Sequence, residues 1–166
     1  PKWVLMTNTT QSILLARDAV CAIMRIIRRT KHQGKKKPPL IEFRLAFVGT
    51  AWCISPDRDL LTAHHILNEG KARDPNDRFY AFNVPGNGPT AYHFPVIGFP
   101  LDDATHDFAI LEVEPPAQPG QHIPAVPVAF GRPFDGTPVV TYGFPSPTIG
   151  GGNVSPDGSF LGGGQF

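Results

Sequence analysis

The apolar positions of this chain change rhythm once, near residue 40. Before it, Ile13, Ala16, Val20, Ile23, Met24 and Ile27 recur at intervals of three and four, while Arg17, Arg25, Arg28 and Arg29 fall largely off that stripe. This is the spacing of one helical face, and it predicts an amphipathic helix from about Thr10 to Arg29, capped by Thr9 or Thr10. Beyond it the apolar runs are short, alternating and bounded by Gly, Pro, Asp or Ser. They predict strands at Ile41–Val48, Ala51–Ile54, Asp59–Ala63, Arg78–Val84, Tyr92–Phe99, Asp107–Val113 and Pro138–Phe144. Turn signals such as Pro85-Gly86-Asn87-Gly88 and Phe134-Asp135-Gly136 separate them. Short strands without intervening helices make the expected body all-β, an antiparallel barrel or sandwich.

Composition agrees with that body. The chain has 166 residues with 41% hydrophobic and 17% charged residues, which suits one globular domain and not a disordered chain. Its 17 Gly and 19 Pro argue against a helical bundle. The longest nearly apolar stretch, Ala19 to Ile27, is interrupted by Arg25, so no transmembrane helix is expected. Cys21 and Cys53 lack the spacing of a zinc site and read as buried thiols.

Charge is divided unevenly. Residues 1–37 carry nine Lys/Arg against Asp18 alone, whereas the remainder carries six against thirteen Asp/Glu. The run Lys31-His32-Gln33-Gly34-Lys35-Lys36-Lys37-Pro38-Pro39 reads as a linker, since like charges repel and two prolines stop a helix. Two readings of this basic head stand side by side. One is an amphipathic helix docked on its own domain; the other is weak attachment to an anionic partner, either nucleic acid or membrane surface.

Three later segments carry chemistry together: Leu60-Leu61-Thr62-Ala63-His64-His65-Ile66-Leu67, His106-Asp107-Phe108-Ala109-Ile110-Leu111, and Val139-Val140-Thr141-Tyr142-Gly143-Phe144-Pro145. In this order they resemble the trypsin-like (chymotrypsin-fold) serine peptidases, especially the short bacterial branch, over about residues 41–146. Gly49-Thr50-Ala51-Trp52 is similar to the family's Gly-Thr-Gly-Phe strand, Leu61–His65 to its Leu-Thr-Ala-Ala-His, and Asp107–Leu111 to its Asp-x-Ala-x-Leu. The resemblance implies a chymotrypsin-like antiparallel β-barrel, with residues 1–39 as the basic helix and linker and 40–137 as the first barrel. Residues 138–166 would begin an incomplete second barrel. It also implies a polypeptide substrate, no cofactor, His65 as general base and Asp107 as the carboxylate that orients it.

The physical chemistry of those residues supports the implied roles. Imidazole exchanges a proton near neutrality, and a carboxylate on one ring nitrogen fixes the tautomer that leaves the other free. Where the family has a small residue this chain has His64, which is the fallback base. No Gly-x-Ser-Gly-Gly occurs, and none of Ser12, Ser55, Ser146, Ser155 and Ser159 has the nucleophile's setting. The expectation is therefore a serine-type endopeptidase represented by a piece that stops before its catalytic serine. A non-catalytic relative acting as a binding module is the alternative. A third reading takes His64, His65, His106 and Asp107 as metal ligands; adjacent histidines on a strand would point to opposite faces, which disfavours it.

Overall fold

The computed structural model describes residues 9–31, 40–56, 58–68, 77–84, 86, 91–116, 120–128, 135, 143, 153–154 and 160–162. In chain order these hold α1 (Thr9–Asp18), β1 (Val20–Lys31), β2 (Leu40–Cys53), β3 (Asp59–Thr62), α2 (His64–Asn68), β4 (Arg78–Asn83), β5 (Tyr92–Asp103) and β6 (Phe108–Val113). A short antiparallel pair follows, β7 (Asn153–Val154) and β8 (Phe160–Gly162). Strands β1-β2-β3-β6-β5-β4 close into a barrel with every neighbouring pair antiparallel. This is the chymotrypsin-like architecture that the resemblance implies.

Alternation explains most of the wall. In β6, Ala109, Leu111 and Val113 are buried and their neighbours only partly so, and in β3 the buried positions are Leu60 and Thr62. Period-two side chains reach one face of a strand, so Leu60, Ala109, Leu111 and Val113 meet Cys21, Ile23, Ala51, Cys53, Phe79, Ala81 and Phe94 inside the barrel. Leu67 of α2 and Ile123 of the segment after β6 join this core from outside the strands. That segment is tied down by the Val126 N–H, which donates to the Cys53 carbonyl at 2.9 Å.

The N-terminal expectation is corrected here. The helix ends at Asp18, and Val20–Lys31 is strand β1, paired with both β2 and β4. The barrel thus draws a strand from the far side of the boundary expected near Pro38. The cause of the misreading is burial on both faces. Cys21 and Ile23 enter the barrel core, whereas Ala22 and Met24 pack outside it with Phe82, partly covered by Leu45, Phe47 and Tyr80. A strand covered on both sides loses its period of two, and its remaining apolar positions can fall at helical intervals by chance. Its β-branched Val20, Ile23, Ile26, Ile27 and Thr30 suit a pleated surface. The turn between α1 and β1 is held by the buried Asn83, whose Nδ2 donates to the carbonyls of Asp18 (2.7 Å) and Val20 (3.0 Å).

Two smaller differences follow from the same pairing. The strands expected at Ile41–Val48 and Ala51–Ile54 are one strand, β2, because β1 pairs along its whole length, with a bulge beside Ile23 and Met24. Part of the basic head's charge is internal: Arg25 pairs with Asp77 and its guanidinium lies over the Phe79 ring. Cys21 and Cys53 are buried thiols, as expected, and burial pushes the Cys21 thiol upward out of reach of ionisation. The strand expected at Pro138–Phe144 lies outside the described residues, apart from Gly143. No helix among the described residues is long and apolar enough to cross a membrane.

Candidate active site

β3 delivers the chain to the barrel rim, where α2 begins at once with His64. Two apolar residues seat this single turn of helix. Leu67 is fully buried in the barrel core, and Ile66 lies so close to β2 that a Cβ on Gly49 would stand 2.5 Å from Ile66 Cδ1 and 2.8 Å from its Cγ1. Glycine is therefore required at residue 49 for this approach. Opposite α2 lies the β5–β6 hairpin, whose turn runs through residues 104–107.

The turn brings Asp107 back onto α2. Its φ of 55° is the left-handed conformation, which Asp tolerates better than most residues, and its carboxylate receives two groups of one residue. The His65 backbone N–H donates to Asp107 Oδ1 at 2.9 Å, satisfying an amide that the first turn of a helix leaves without a partner. The His65 ring Nδ1 stands 2.8 Å from Oδ2 and 3.0 Å from Oδ1. These two hydrogen bonds, the backbone one foremost, hold the Asp107 carboxyl below its ordinary range. Among the described residues His65 Nε2 has no hydrogen-bond partner, and the side chain is 68% exposed.

His64 makes a different contact. Consecutive helical residues diverge by about 100°, and the His64 ring turns to β5, where Nδ1 meets Asp102 Oδ1. The Asn68 amide nitrogen lies against the same ring, 3.1 Å from Nδ1 and 3.3 Å from Nε2, and the side chain is only 24% exposed. The third histidine, His106, closes the hairpin turn on itself: its Nδ1 is 2.8 Å from Asp103 Oδ2, while Asp103 Oδ1 accepts the backbone N–H groups of Thr105 and His106 at 2.9 and 3.1 Å. These bonds, led by that from the His106 ring, hold the Asp103 carboxyl below its ordinary range.

The structure therefore brings together His65 and Asp107, which are 42 positions apart in sequence, and gives His64 a different carboxylate. It does not converge His64, His65, His106 and Asp107 on one point, since each ring engages a different aspartate. Among the described residues no three His, Cys, Asp or Glu side chains are grouped to hold a metal ion. Asp102 and Asp103 escaped the sequence reading. The spacing of Asp103 and His106 was visible, but nothing local tells which carboxylate a distant histidine will meet.

Six solved chains match this one. One is described as the HtrA-type protease AlgW with decapeptide, at 15% identity and a TM-score of 0.49, over 72% of this chain and 35% of that chain. This chain thus spans well under half the length of that protease chain. No curated protein matches it. The family model of the trypsin-like peptidase domain matches residues 49–162, more than half of the sequence and all of the segment from β3 to β6. The chain belongs to the trypsin-like peptidase domain family.

Proposed function

We propose that this chain supplies the general base and its orienting carboxylate to a serine-type endopeptidase, His65 acting as base and Asp107 as orienter. The observation that supports this most is the asymmetry of the His65 ring, with Nδ1 on a carboxylate and Nε2 open. A carboxylate acceptor keeps the proton on Nδ1 and leaves the lone pair on Nε2. A serine hydroxyl at Nε2 would give up its proton there as its oxygen bonds to the peptide carbonyl carbon and the carbonyl electron pair moves onto oxygen. Collapse of that intermediate breaks the C–N bond, and the imidazolium returns its proton to the departing amine. Water then repeats the sequence on the acyl-enzyme, with Nε2 again as base.

None of the five serines in the sequence stands in a Gly-x-Ser-Gly-Gly setting. The proposal accordingly places the nucleophile outside residues 1–166 and takes residues 138–166 as the opening of a second barrel. A polypeptide is the substrate, and a weak anionic partner for the basic segment belongs to the same proposal, its sign being binding that falls steeply with salt.

The test uses the protein translated from the natural reading frame that contains these residues. A fluorophosphonate probe should label one serine, and His65→Ala should suppress both labelling and peptide cleavage. A frame that supplies no such serine, with no labelling, would replace this reading by the non-catalytic binding module.

A further inference from the structure

The two histidines that open α2 grip the two arms of one hairpin. His65 holds Asp107, at the start of the β6 arm, and His64 holds Asp102, near the end of the β5 arm. Within the hairpin, Asp102 is the register partner of Ala109, so the two carboxylates flank the same turn. Asn68, one turn further along α2, packs its amide nitrogen against the His64 ring, 3.1 Å from Nδ1 and 3.3 Å from Nε2. The family's small residue at this position can make no such contact.

We propose that His64 and Asp102 form a second His–Asp pair whose role is to position the first, with His64 a positioning residue for the proposed base His65. Three observations combine in its favour. Asp107 sits at a φ of 55° in a turn, a sparsely populated conformation even for Asp, which contacts with its surroundings help to hold. Both members of the His65–Asp107 pair are more than half exposed, at 68% and 53%, so packing does not fix them. His64 and Asp102 are better covered, at 24% and 30%, and they join the same two elements at the adjacent residue. One pair between α2 and the hairpin leaves a pivot; two pairs on opposite arms remove it. Placement matters here, since a misplacement of about 1 Å at a reacting group can cost roughly a hundredfold in rate.

The inference rests on the peptidase reading only for its consequence in rate, and its first readout is independent of activity. That readout is the Nδ1–H proton resonance of His65, measured by NMR on the folded protein with nitrogen-15-labelled histidine. His64→Ala and Asp102→Asn should each broaden or shift the signal, whereas His64→Gln, which keeps an N–H donor for Asp102, should restore most of it. In the protein that carries the serine, His64→Ala and Asp102→Asn should lower kcat by roughly ten- to a hundredfold with KM little changed, and His64→Gln should recover it. Thermal unfolding of each variant confirms that the barrel is intact. An unchanged His65 resonance in folded His64→Ala overturns the proposal whatever the activity does. Loss of cleavage in His64→Ala with cleavage kept in His65→Ala overturns it too, and makes His64 the base. Wild-type protein that fails to cleave, yet shows the expected resonance changes, refutes the peptidase reading and leaves the positioning role standing.

Discussion

The barrel wall at β1 and the rim at α2 are held by different forces. At β1 the residues from Ala19 to Met24 are almost wholly removed from water, and burial of apolar surface needs no particular orientation to stabilise. At the rim, the exposed His65 ring meets an exposed carboxylate, and His64 and His106 meet partly covered ones, all through directed hydrogen bonds; those at the surface are worth little to stability in water. The difference implies that stability and chemistry can be altered separately in this protein. Wall substitutions should lower stability and leave the rim contacts of the folded protein in place, and rim substitutions should remove the proposed activity without unfolding it.

The largest effect is expected at Asp107. Asp107→Asn keeps the shape of the side chain but lets His65 take the wrong tautomer, so on the proposed peptidase reading kcat should fall on the order of 10⁴-fold, with a melting temperature close to wild type. Steady-state kinetics beside calorimetry check both halves, and a collapse of Tm in step with activity would erase the distinction between wall and rim. Next is Ile23→Ala in β1, which removes a fully buried side chain and should cost about 2–5 kcal/mol in urea unfolding. The His65 resonance should stay in place below the transition. A helix from about Thr10 to Arg29, as the hydrophobic spacing alone predicts, would make this substitution mild.

Gly49→Ala addresses the seam between the two regions. A methyl group there must displace Ile66, and overpacking of this kind costs roughly 1–3 kcal/mol. Since Ile66 follows His65, activity should fall as well, and Ile66→Ala in the same molecule should relieve both losses. The pH response is smaller. The folded-state pKa of Asp107 is depressed, so its contribution to stability is present above the unfolded value of about 3.9 and is lost as pH falls through the lowered folded value. Carbon NMR of the Asp107 carboxyl should accordingly give a midpoint below that of an ordinary aspartate, and His65→Ala should move it upward. Smallest of all is the surface pair between Arg58 and Glu112: Arg58→Ala should change stability by less than about 1 kcal/mol, and a larger loss would show that the outer wall also depends on directed contacts.

Some of this molecule was legible from the chain alone. Asp59–Thr62 and Phe108–Val113 alternate because one face of each is buried, and that pattern is local, so the sequence alone determined that these are strands. His65 and Asp107 were marked by the residues around them, since each motif joins a strand to the candidate side chain at its end. Tertiary structure decided what depends on closure. Val20–Lys31 is a strand because β2 and β4 pair with it and apolar side chains cover both its faces, and a residue's burial on two sides leaves no trace in local spacing. Asp102 faces His64, and Gly49 admits Ile66, because the closed barrel sets α2 between β2 and the β5–β6 hairpin. Such contacts join residues far apart in the chain, and their partners are chosen by geometry that exists only once the barrel has closed.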